Sequence, residues 1–269
     1  TLDGTLFPYT TLFRSDHVLT RAVQAIQWSR LLPGQALQGA FQTAQAEYLY
    51  GAYGGQWIAI REGSVCEALP GEEEAGRTAA AVLCQNPQAR RILVIGSGLA
   101  LCNRLLLLPQ IEHLAWAHPD AEYTRHLLEH LPPQFSMADA RFHLVADEIR
   151  RYLEGARDSF DVVILSLSDV TGSTFNRYYT AEFYERIQAA LHPTGVVAVG
   201  IPGGEDVMGD ELVGLGASTR RTLGEVFANQ VLVPGQQTWL IASAAGTLTG
   251  DPACLLARNE NLIGKEIGR

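Results

Sequence analysis

The fold of this chain is decided by residues 92–98, which read Ile-Leu-Val-Ile-Gly-Ser-Gly. Four consecutive apolar residues that stop at a glycine turn are typical of a buried parallel strand leading into a helix. Such a turn places backbone N–H groups and the positive end of the helix beside a nucleotide-like ligand. Leu99 and Ala100 follow, so the turn has neither a third glycine nor an acidic residue. The sequence predicts a ligand-binding turn that has few polar side chains of its own.

Strands and helices alternate along the chain from this turn onward. The predicted strands cover residues 91–96, 113–117, 141–146, 160–166 and 195–201, and the predicted helices cover 99–108, 119–131, 147–154, 180–191 and 210–227. Repeated strand–helix units give a parallel sheet with helices on both faces. Two last strands, 229–233 and 237–243, are joined by three residues and must pair antiparallel. We expect an α/β fold that resembles the class I methyltransferase form of the Rossmann sheet.

The sequence predicts a smaller domain before this sheet. A helix is predicted over 17–31, short antiparallel strands over 47–53, 56–61 and 64–69, and a helix from about residue 72 to 85. Residues 5–15 (TLFPYTTLFRS) resemble the in-frame translation of a sequencing-library adapter, so we expect residues 1–15 to be an artefact. The expected division is therefore an artefact (1–15), a helix with a small β domain (16–70), a Rossmann-like nucleoside-binding domain (71–245) and a C-terminal tail without a strong pattern (246–269).

Composition excludes several classes of partner. The net charge of −9 and the pI of about 5.3 argue against nucleic acids and anionic membranes. Four cysteines lie far apart in the sequence and form no CxxC pair, which favours a reducing, cytoplasmic compartment over a disulfide framework or a zinc site. His126 and His130 are spaced for a shared helix face, but neither the adjacent glutamate of a zinc motif nor a third ligand is evident, so we expect no metal.

Ligands of open α/β sheets bind beyond the carboxyl ends of the strands, at the point where the strand order reverses. The polar and glycine residues at four predicted strand ends are Gly96, Ser97 and Gly98; His118 and Asp120; Asp147 and Glu148; and Ser166, Ser168 and Asp169. In this order they suit a nucleoside: glycines let the backbone approach, a polar residue about 20 positions on reaches the ribose, and a later acid accepts from the adenine amino group.

Three of these residues also have a plain structural interpretation. Asp147 is as well suited to capping the helix at 147–154, and Asp169 to a turn within Ser-Asp-Val-Thr-Gly. His118, before a proline, is favoured as a loop residue over a catalytic one.

Residues 160–199 carry a specific resemblance. The run Asn176-Arg177-Tyr178-Tyr179-Thr180-Ala181-Glu182-Phe183 after the fourth strand is similar to that of spermidine synthases, the polyamine aminopropyltransferases, and in particular of the bacterial branch often fused to membrane helices. The resemblance extends over residues 45–243. It implies aminopropyl transfer from decarboxylated S-adenosylmethionine to an amine, with no tightly bound cofactor. It also implies catalytic roles at Asp169 and Ser166, a homodimer, and a membrane part upstream of a cytoplasmic domain.

The chain departs from the pattern of that family at several positions. The acid of the glycine loop is replaced by Leu99, the ribose-binding acid by His118 (two residues before Asp120), and the first aspartate of the Asp-x-x-Asp-Pro segment by Ser166. Val170 replaces the proline of that segment, and the Tyr-His-Glu segment is not recognisable at residues 75–79. Carboxylates hold the cationic ends of a diamine and accept its proton, so we expect weak or no conventional spermidine synthesis.

Three functions follow from these observations. The first is an aminopropyltransferase, or a diverged form of one, acting on a nucleoside and a polyamine. The second is a non-catalytic nucleoside-binding or assembly module. The third is a methyltransferase that uses S-adenosylmethionine, which would need a group to recognise the cofactor carboxylate near Ser97.

Overall fold

The structure, a computed structural model, describes residues 9–167, 173–202, 209–235, 237–245 and 248–267. The chain divides into two compact units, Thr1–Ala68 and Leu69–Arg269.

A helix and a four-stranded antiparallel sheet make up the first unit. The elements are α1 (Tyr9–Leu31), β1 (Leu37–Gln42), β2 (Glu47–Tyr53), β3 (Gln56–Arg61) and β4 (Ser64–Leu69), and the strands lie in sequence order. Trp28 is buried against Leu49 and Ile58, and its indole N–H donates to the Gln35 carbonyl oxygen at 3.1 Å. The helix thus covers one face of the sheet with apolar side chains.

Two details of the first unit were not predicted. The helix begins at Tyr9 and not at residue 17, because residues 9–16 contain no proline or glycine to interrupt it. The strand β1 was missed: it contains Gly39, which weakens the strand pattern but lies against the Tyr50 side chain so closely that a Cβ would overlap the phenol. Pairing with β2, and not local sequence, fixes this strand.

A seven-stranded sheet with helices forms the second unit. Its elements are α2 (Glu72–Leu83), β5 (Arg91–Gly96), α3 (Leu99–Leu106), β6 (His113–Ala117), α4 (Ala121–Glu129), β7 (Phe142–Leu144), α5 (Ile149–Gly155), β8 (Phe160–Ser166), α6 (Ser173–Asn176), α7 (Ala181–Ala190), β9 (Leu191–Pro202), α8 (Asp210–Val226), β10 (Asn229–Val233), β11 (Gln237–Ser243) and α9 (Pro252–Ile267).

The strand order of this sheet is β10-β11-β9-β8-β5-β6-β7. The strands β5 to β9 pair parallel, whereas β11 pairs antiparallel with both β9 and β10. The order reverses between β5 and β8, which is where such sheets bind ligands. The interiors of both strands, Ile92–Ile95 and Val162–Leu165, are fully buried, as their unbroken apolar sequences predict.

The predicted α/β class and the antiparallel terminal hairpin are confirmed, with differences at the ends of elements. The strand β9 begins at Leu191 and takes in Gly195, where its pairing with β8 shifts register. The C-terminal region, for which the sequence showed no strong pattern, contains the helix α9 over Pro252–Ile267. Long-range hydrogen bonds hold the start of this region: the Gln85 amide donates to the Thr249 carbonyl oxygen at 2.9 Å and accepts from the Thr249 N–H at 3.0 Å.

Candidate functional site

The glycine turn after β5 is fixed by its two neighbouring strands. Gly96 has a φ of +101°, and a Cβ there would overlap the Ser166 carbonyl oxygen of β8. On the other side, the buried indole N–H of Trp116 in β6 donates to the Gly96 carbonyl oxygen at 2.8 Å. A side chain at Gly96 would therefore push β5 away from β8, at the point where the sheet order reverses.

The helix α3 begins directly at this turn. Gly98 precedes its first residue in an extended conformation, and a Cβ there would lie 2.8 Å from Val94 Cγ1. Ser97 and Gly98 are partly exposed, whereas the Leu99 side chain is fully buried in the core. The turn therefore presents backbone and one hydroxyl at the carboxyl edge of the sheet, and Leu99 offers no group to a ligand.

His118 and Asp120 shape the loop after β6. His118 Nδ1 lies 3.0 Å from the backbone nitrogen and 3.1 Å from the carbonyl oxygen of Asp120. The His118 ring lies 4.4 Å from the Tyr123 ring, centroid to centroid. The Asp120 carboxylate caps α4 by accepting from the Tyr123 N–H at 3.3 Å. Both side chains are buried, so His118 is a loop residue with a structural bond.

Asp147 and Glu148 follow β7 and are both exposed. The interpretation of Asp147 as the helix cap was wrong, because α5 begins at Ile149 and the Glu148 carboxylate accepts from the Arg151 N–H at 3.2 Å. The helix begins two residues later than predicted, which makes Glu148 the cap in place of Asp147. Glu148 is engaged with its own helix, and the Asp147 carboxylate is turned toward solvent at the carboxyl edge.

Ser166 ends β8 and pairs in register with Gly96 of β5. Its side chain is partly exposed, and Leu167 after it is buried. Asp169 and Ser168 lie outside the described residues. Of the predicted catalytic pair, the structure therefore places Ser166 alone, directly beside the glycine turn.

A tyrosine and two arginines connect the chain after β8 with α5. The Arg150 guanidinium donates to the Arg177 carbonyl oxygen at 2.9 Å. Arg177 in turn donates to the Tyr178 hydroxyl at 2.8 Å and lies 4.9 Å from the centre of that ring. Burial raises the pKa of the Tyr178 phenol, an effect that Arg177 opposes. These contacts join the residues directly after α6 to α5.

The rest of the family-like run starts α7. The Thr180 hydroxyl accepts from the Phe183 N–H at 3.3 Å and caps the helix. The pKa of Glu182 is lowered by a hydrogen bond from its own backbone N–H and by the Thr180 hydroxyl. Tyr179 donates to the Gly200 carbonyl oxygen of β9 at 3.4 Å, and burial raises the pKa of its phenol. The run is thus largely explained by helix capping and packing against the sheet.

The histidine pair of α4 is engaged within its own helix. His126 Nδ1 lies 3.3 Å from Glu129 Oε2, and His130 Nδ1 lies 2.7 Å from the His126 carbonyl oxygen. In the part of the chain that the structure describes, no three His, Cys, Asp or Glu side chains are grouped to hold a metal ion. No helix within the same residues has the length and hydrophobicity needed to cross a membrane.

Sequence reasoning missed two residues of this edge, Trp116 and Arg150. A buried tryptophan needs an acceptor for its N–H, and Trp116 lies two residues before the predicted site residue His118, so a signal was present. Arg150 carried no signal, because its partner is a backbone carbonyl 27 residues away.

Comparisons with known proteins agree with this geometry. Residues 77–201 match the family model of the spermine/spermidine synthase domain. Polyamine aminopropyltransferase 2 of Hyperthermus butylicus is 32% identical over 120 residues, which cover 43% of this chain and 39% of that protein. The chain thus spans less than half the length of the curated relatives it matches.

Two solved structures share the fold at low sequence identity. A spermidine synthase in complex with the transition-state analogue AdoDATO has a TM-score of 0.65 and 18% identity, covering 86% of this chain and 88% of that one. Human methyltransferase-like protein 13 in complex with SAH has a TM-score of 0.55 and 16% identity, covering 73% of this chain and 92% of that one.

Proposed function

Because residues 77–201 belong to the spermine/spermidine synthase family, we propose that this protein transfers an aminopropyl group from decarboxylated S-adenosylmethionine to an amine. The observation that carries the proposal is the position of that domain in the fold. It contains the strands β5 to β9, and the glycine turn lies at the carboxyl end of β5, against β8. The fold alone does not decide the activity, since a methyltransferase-like protein shares it.

The nucleoside would bind along the carboxyl edge of β7, β6 and β5. Ser97 and Gly98, at the start of α3, are partly exposed on that edge, where a helix N-terminus favours an electron-rich ligand. The loop of His118 and Asp120 would meet the ribose, and the exposed Asp147 carboxylate would accept from the adenine amino group. Register supports this arrangement, because Ile95 pairs with Ala117 and Trp116 pairs with Leu144.

The reaction requires a neutral amine and an acceptor for its proton. The amine nitrogen attacks the methylene carbon beside the sulfonium, and the C–N bond forms as the C–S bond breaks. The electron pair of that bond goes to sulfur, which leaves methylthioadenosine. We assign the proton acceptor to Asp169 from the sequence, and we assign Ser166, beside the glycine turn, to orienting the amine through its hydroxyl.

This site offers the acceptor amine fewer carboxylates than a site that has acids at positions 99 and 166. Leu99 is buried in the core, and Ser166 has no charge to offer an ammonium group. An ammonium that leaves water without a counter-charge is costly, so we propose slow transfer to diamines such as putrescine. The alternatives of a non-catalytic module and a methyltransferase are not favoured by the relatives, whose names are those of aminopropyltransferases.

Binding of the nucleoside is tested first, by calorimetry with methylthioadenosine. We expect measurable binding that Asp147→Asn weakens about tenfold, the effect of losing one charged hydrogen bond. Glu112→Gln is the matched control, because Glu112 is an exposed acid at the amino end of β6, paired with Arg90 at 2.6 Å. Absence of heat with methylthioadenosine would end the proposal.

Catalysis is tested separately with labelled decarboxylated S-adenosylmethionine and a panel of amines. Asp169→Asn should lower turnover by roughly 10²–10⁴-fold and leave methylthioadenosine affinity unchanged. Ser166→Asp should raise turnover with diamines, because that side chain is partly exposed. Leu99→Asp is a poor choice, since a carboxylate would enter the core. Nucleoside binding without turnover in either the wild type or Ser166→Asp would favour the non-catalytic module.

A further inference from the structure

Two of the four cysteines, 170 positions apart in the sequence, lie near each other where the residue after α2 contacts α9. Cys84 follows the last residue of α2 and is buried, and its sulfur lies 3.6 Å from the carbonyl oxygen of Leu255 in α9. Leu255 is the direct neighbour of Cys254, which is partly exposed in the first turn of the same helix. We propose that Cys84 and Cys254 form a reversible disulfide that fastens α9 to the end of α2.

The surroundings of this pair hold the two segments in place. The Arg258 guanidinium donates to the Cys84 carbonyl oxygen at 2.7 Å, one turn of α9 beyond Cys254. The next residue, Gln85, exchanges two hydrogen bonds with Thr249. Burial raises the pKa of the Cys84 thiol, Arg258 lowers it, and the closeness of Cys254 raises it. Cys254, being more accessible, is therefore the thiol that reacts first with a partner from solvent.

Thiol–disulfide exchange with a small disulfide such as oxidised glutathione supplies the chemistry. The Cys254 thiolate attacks one sulfur of glutathione disulfide, and one glutathione leaves as thiol. The Cys84 thiolate then attacks the Cys254 sulfur of the mixed disulfide, and the second glutathione leaves. Two protein thiols are oxidised, one disulfide is reduced to two thiols, and the two protons end on the glutathiones.

The crosslink would act at the amino edge of the large sheet. Beyond Cys84, the Asn86 amide donates to the Asp161 carbonyl oxygen at 3.2 Å, and the Arg90 N–H donates to the Asp161 carboxylate at 2.8 Å. These bonds join the segment after α2 to the first residues of β8. A bond between α9 and α2 therefore strengthens the side of the sheet away from the glycine turn, and nucleoside affinity should not change.

The test equilibrates the whole chain in glutathione buffers from reducing to oxidising and maps peptides by mass spectrometry. We expect a Cys84–Cys254 linked peptide that dithiothreitol removes, that Cys254→Ser abolishes and that Cys102→Ser retains. Cys102 is a fully buried cysteine on α3 and serves as the matched control. The oxidised protein should unfold about 5 °C or more above the reduced one, because a long loop is closed.

Several results would overturn the proposal, and none depends on enzymatic activity. One is a stable glutathione adduct on Cys254 with Cys84 still a thiol. Another is a link that involves Cys66 or Cys102, and a third is four free thiols in the most oxidising buffer. If Cys84→Ser does not fold, the wild type and Cys254→Ser alone decide the question.

Discussion

Gly96 is the residue on which the architecture of the site depends most. Its φ of +101° is strained for any other residue, and a Cβ would overlap the backbone of the neighbouring strand. Gly96→Ala should therefore lower the free energy of unfolding by about 3 kcal/mol or more, the sum of backbone strain and a shift of β5 from β8. Urea unfolding measures the loss.

The control for this variant is Gly155→Ala. Gly155 ends α5, and a Cβ added there would meet no atom within 4 Å, so alanine should be neutral or slightly stabilising. A Gly96→Ala protein within about 0.5 kcal/mol of the wild type would show that the turn tolerates a side chain.

Trp116 is a positioning residue for the same turn. Trp116→Phe keeps an aromatic ring in the core but leaves the buried Gly96 carbonyl without its 2.8 Å hydrogen bond. We expect a loss of about 1–3 kcal/mol in unfolding free energy, together with weaker binding of methylthioadenosine. The two effects are read by urea unfolding and by calorimetry.

Trp57→Phe is the control that separates the loss of a hydrogen bond from the loss of side-chain volume. The Trp57 indole nitrogen is buried and has no hydrogen-bond partner among the described residues, so its loss removes packing alone. Nucleoside affinity unchanged in Trp116→Phe, or lowered equally in Trp57→Phe, would contradict a positioning role.

The pairing of β6 with β7 contains a pH-sensitive contact. His113 stacks on His143 with ring centroids 4.4 Å apart. Burial lowers the pKa of His113, and the charges of His143 and Arg91 lower it further. The unfolded chain therefore binds a proton at higher pH than the folded chain does, so folding stability falls as the pH drops below about 6.5.

His113→Gln should lose less stability than the wild type between pH 7.5 and pH 5.5. Urea unfolding at the two pH values gives both differences, and the exposed His192→Gln serves as the control. Equal pH dependence in His113→Gln and the wild type would show that another group is responsible.

Elements with strong local patterns could be predicted from the sequence. The strands β5 and β8 match their predicted bounds because unbroken apolar runs end at glycine or polar residues. Long-range contacts decide β1 and α9, which the sequence did not predict. The helix α9 has a polar stretch, Asn259-Glu260-Asn261, and long-range hydrogen bonds hold it: Arg258 of the helix donates to the Cys84 carbonyl oxygen, and Gln85 accepts from Thr249 just before the helix.

For the candidate site, the positions of residues could be predicted better than their roles. Strand ends gave the right positions for Gly96 and Ser166, because parallel strands share an edge. What the side chains do there was less predictable: α5 begins two residues later than predicted, so Glu148 and not Asp147 is the cap. The closeness of Cys84 to α9 had no sequence signal, since the two segments are 171 residues apart.

The large sheet of the second unit has two chemically different edges. Its carboxyl edge carries the glycine turn, the His118 loop and the exposed Asp147. Its amino edge is fastened by the Asp161 carboxylate, which accepts from the N–H groups of Arg90 and Arg91 at 2.8 and 2.9 Å. The amino edge therefore serves as an internal control for a ligand that orders the carboxyl edge.

Hydrogen exchange of the whole chain with saturating methylthioadenosine should reveal this difference. We expect slower exchange in peptides covering residues 96–100, 118–121 and 146–149, and little change in those covering residues 88–91 and 110–113. At a hundred times Kd the ligand stabilises the folded state by about 2.7 kcal/mol, enough to slow exchange through global unfolding roughly a hundredfold. Local protection at the carboxyl edge must therefore be read from amides that exchange by local opening, at short labelling times.

Uridine is the control nucleoside, because it lacks the adenine amino group that Asp147 would bind. Protection centred on the amino edge, or equal protection by uridine, would place the ligand away from the glycine turn.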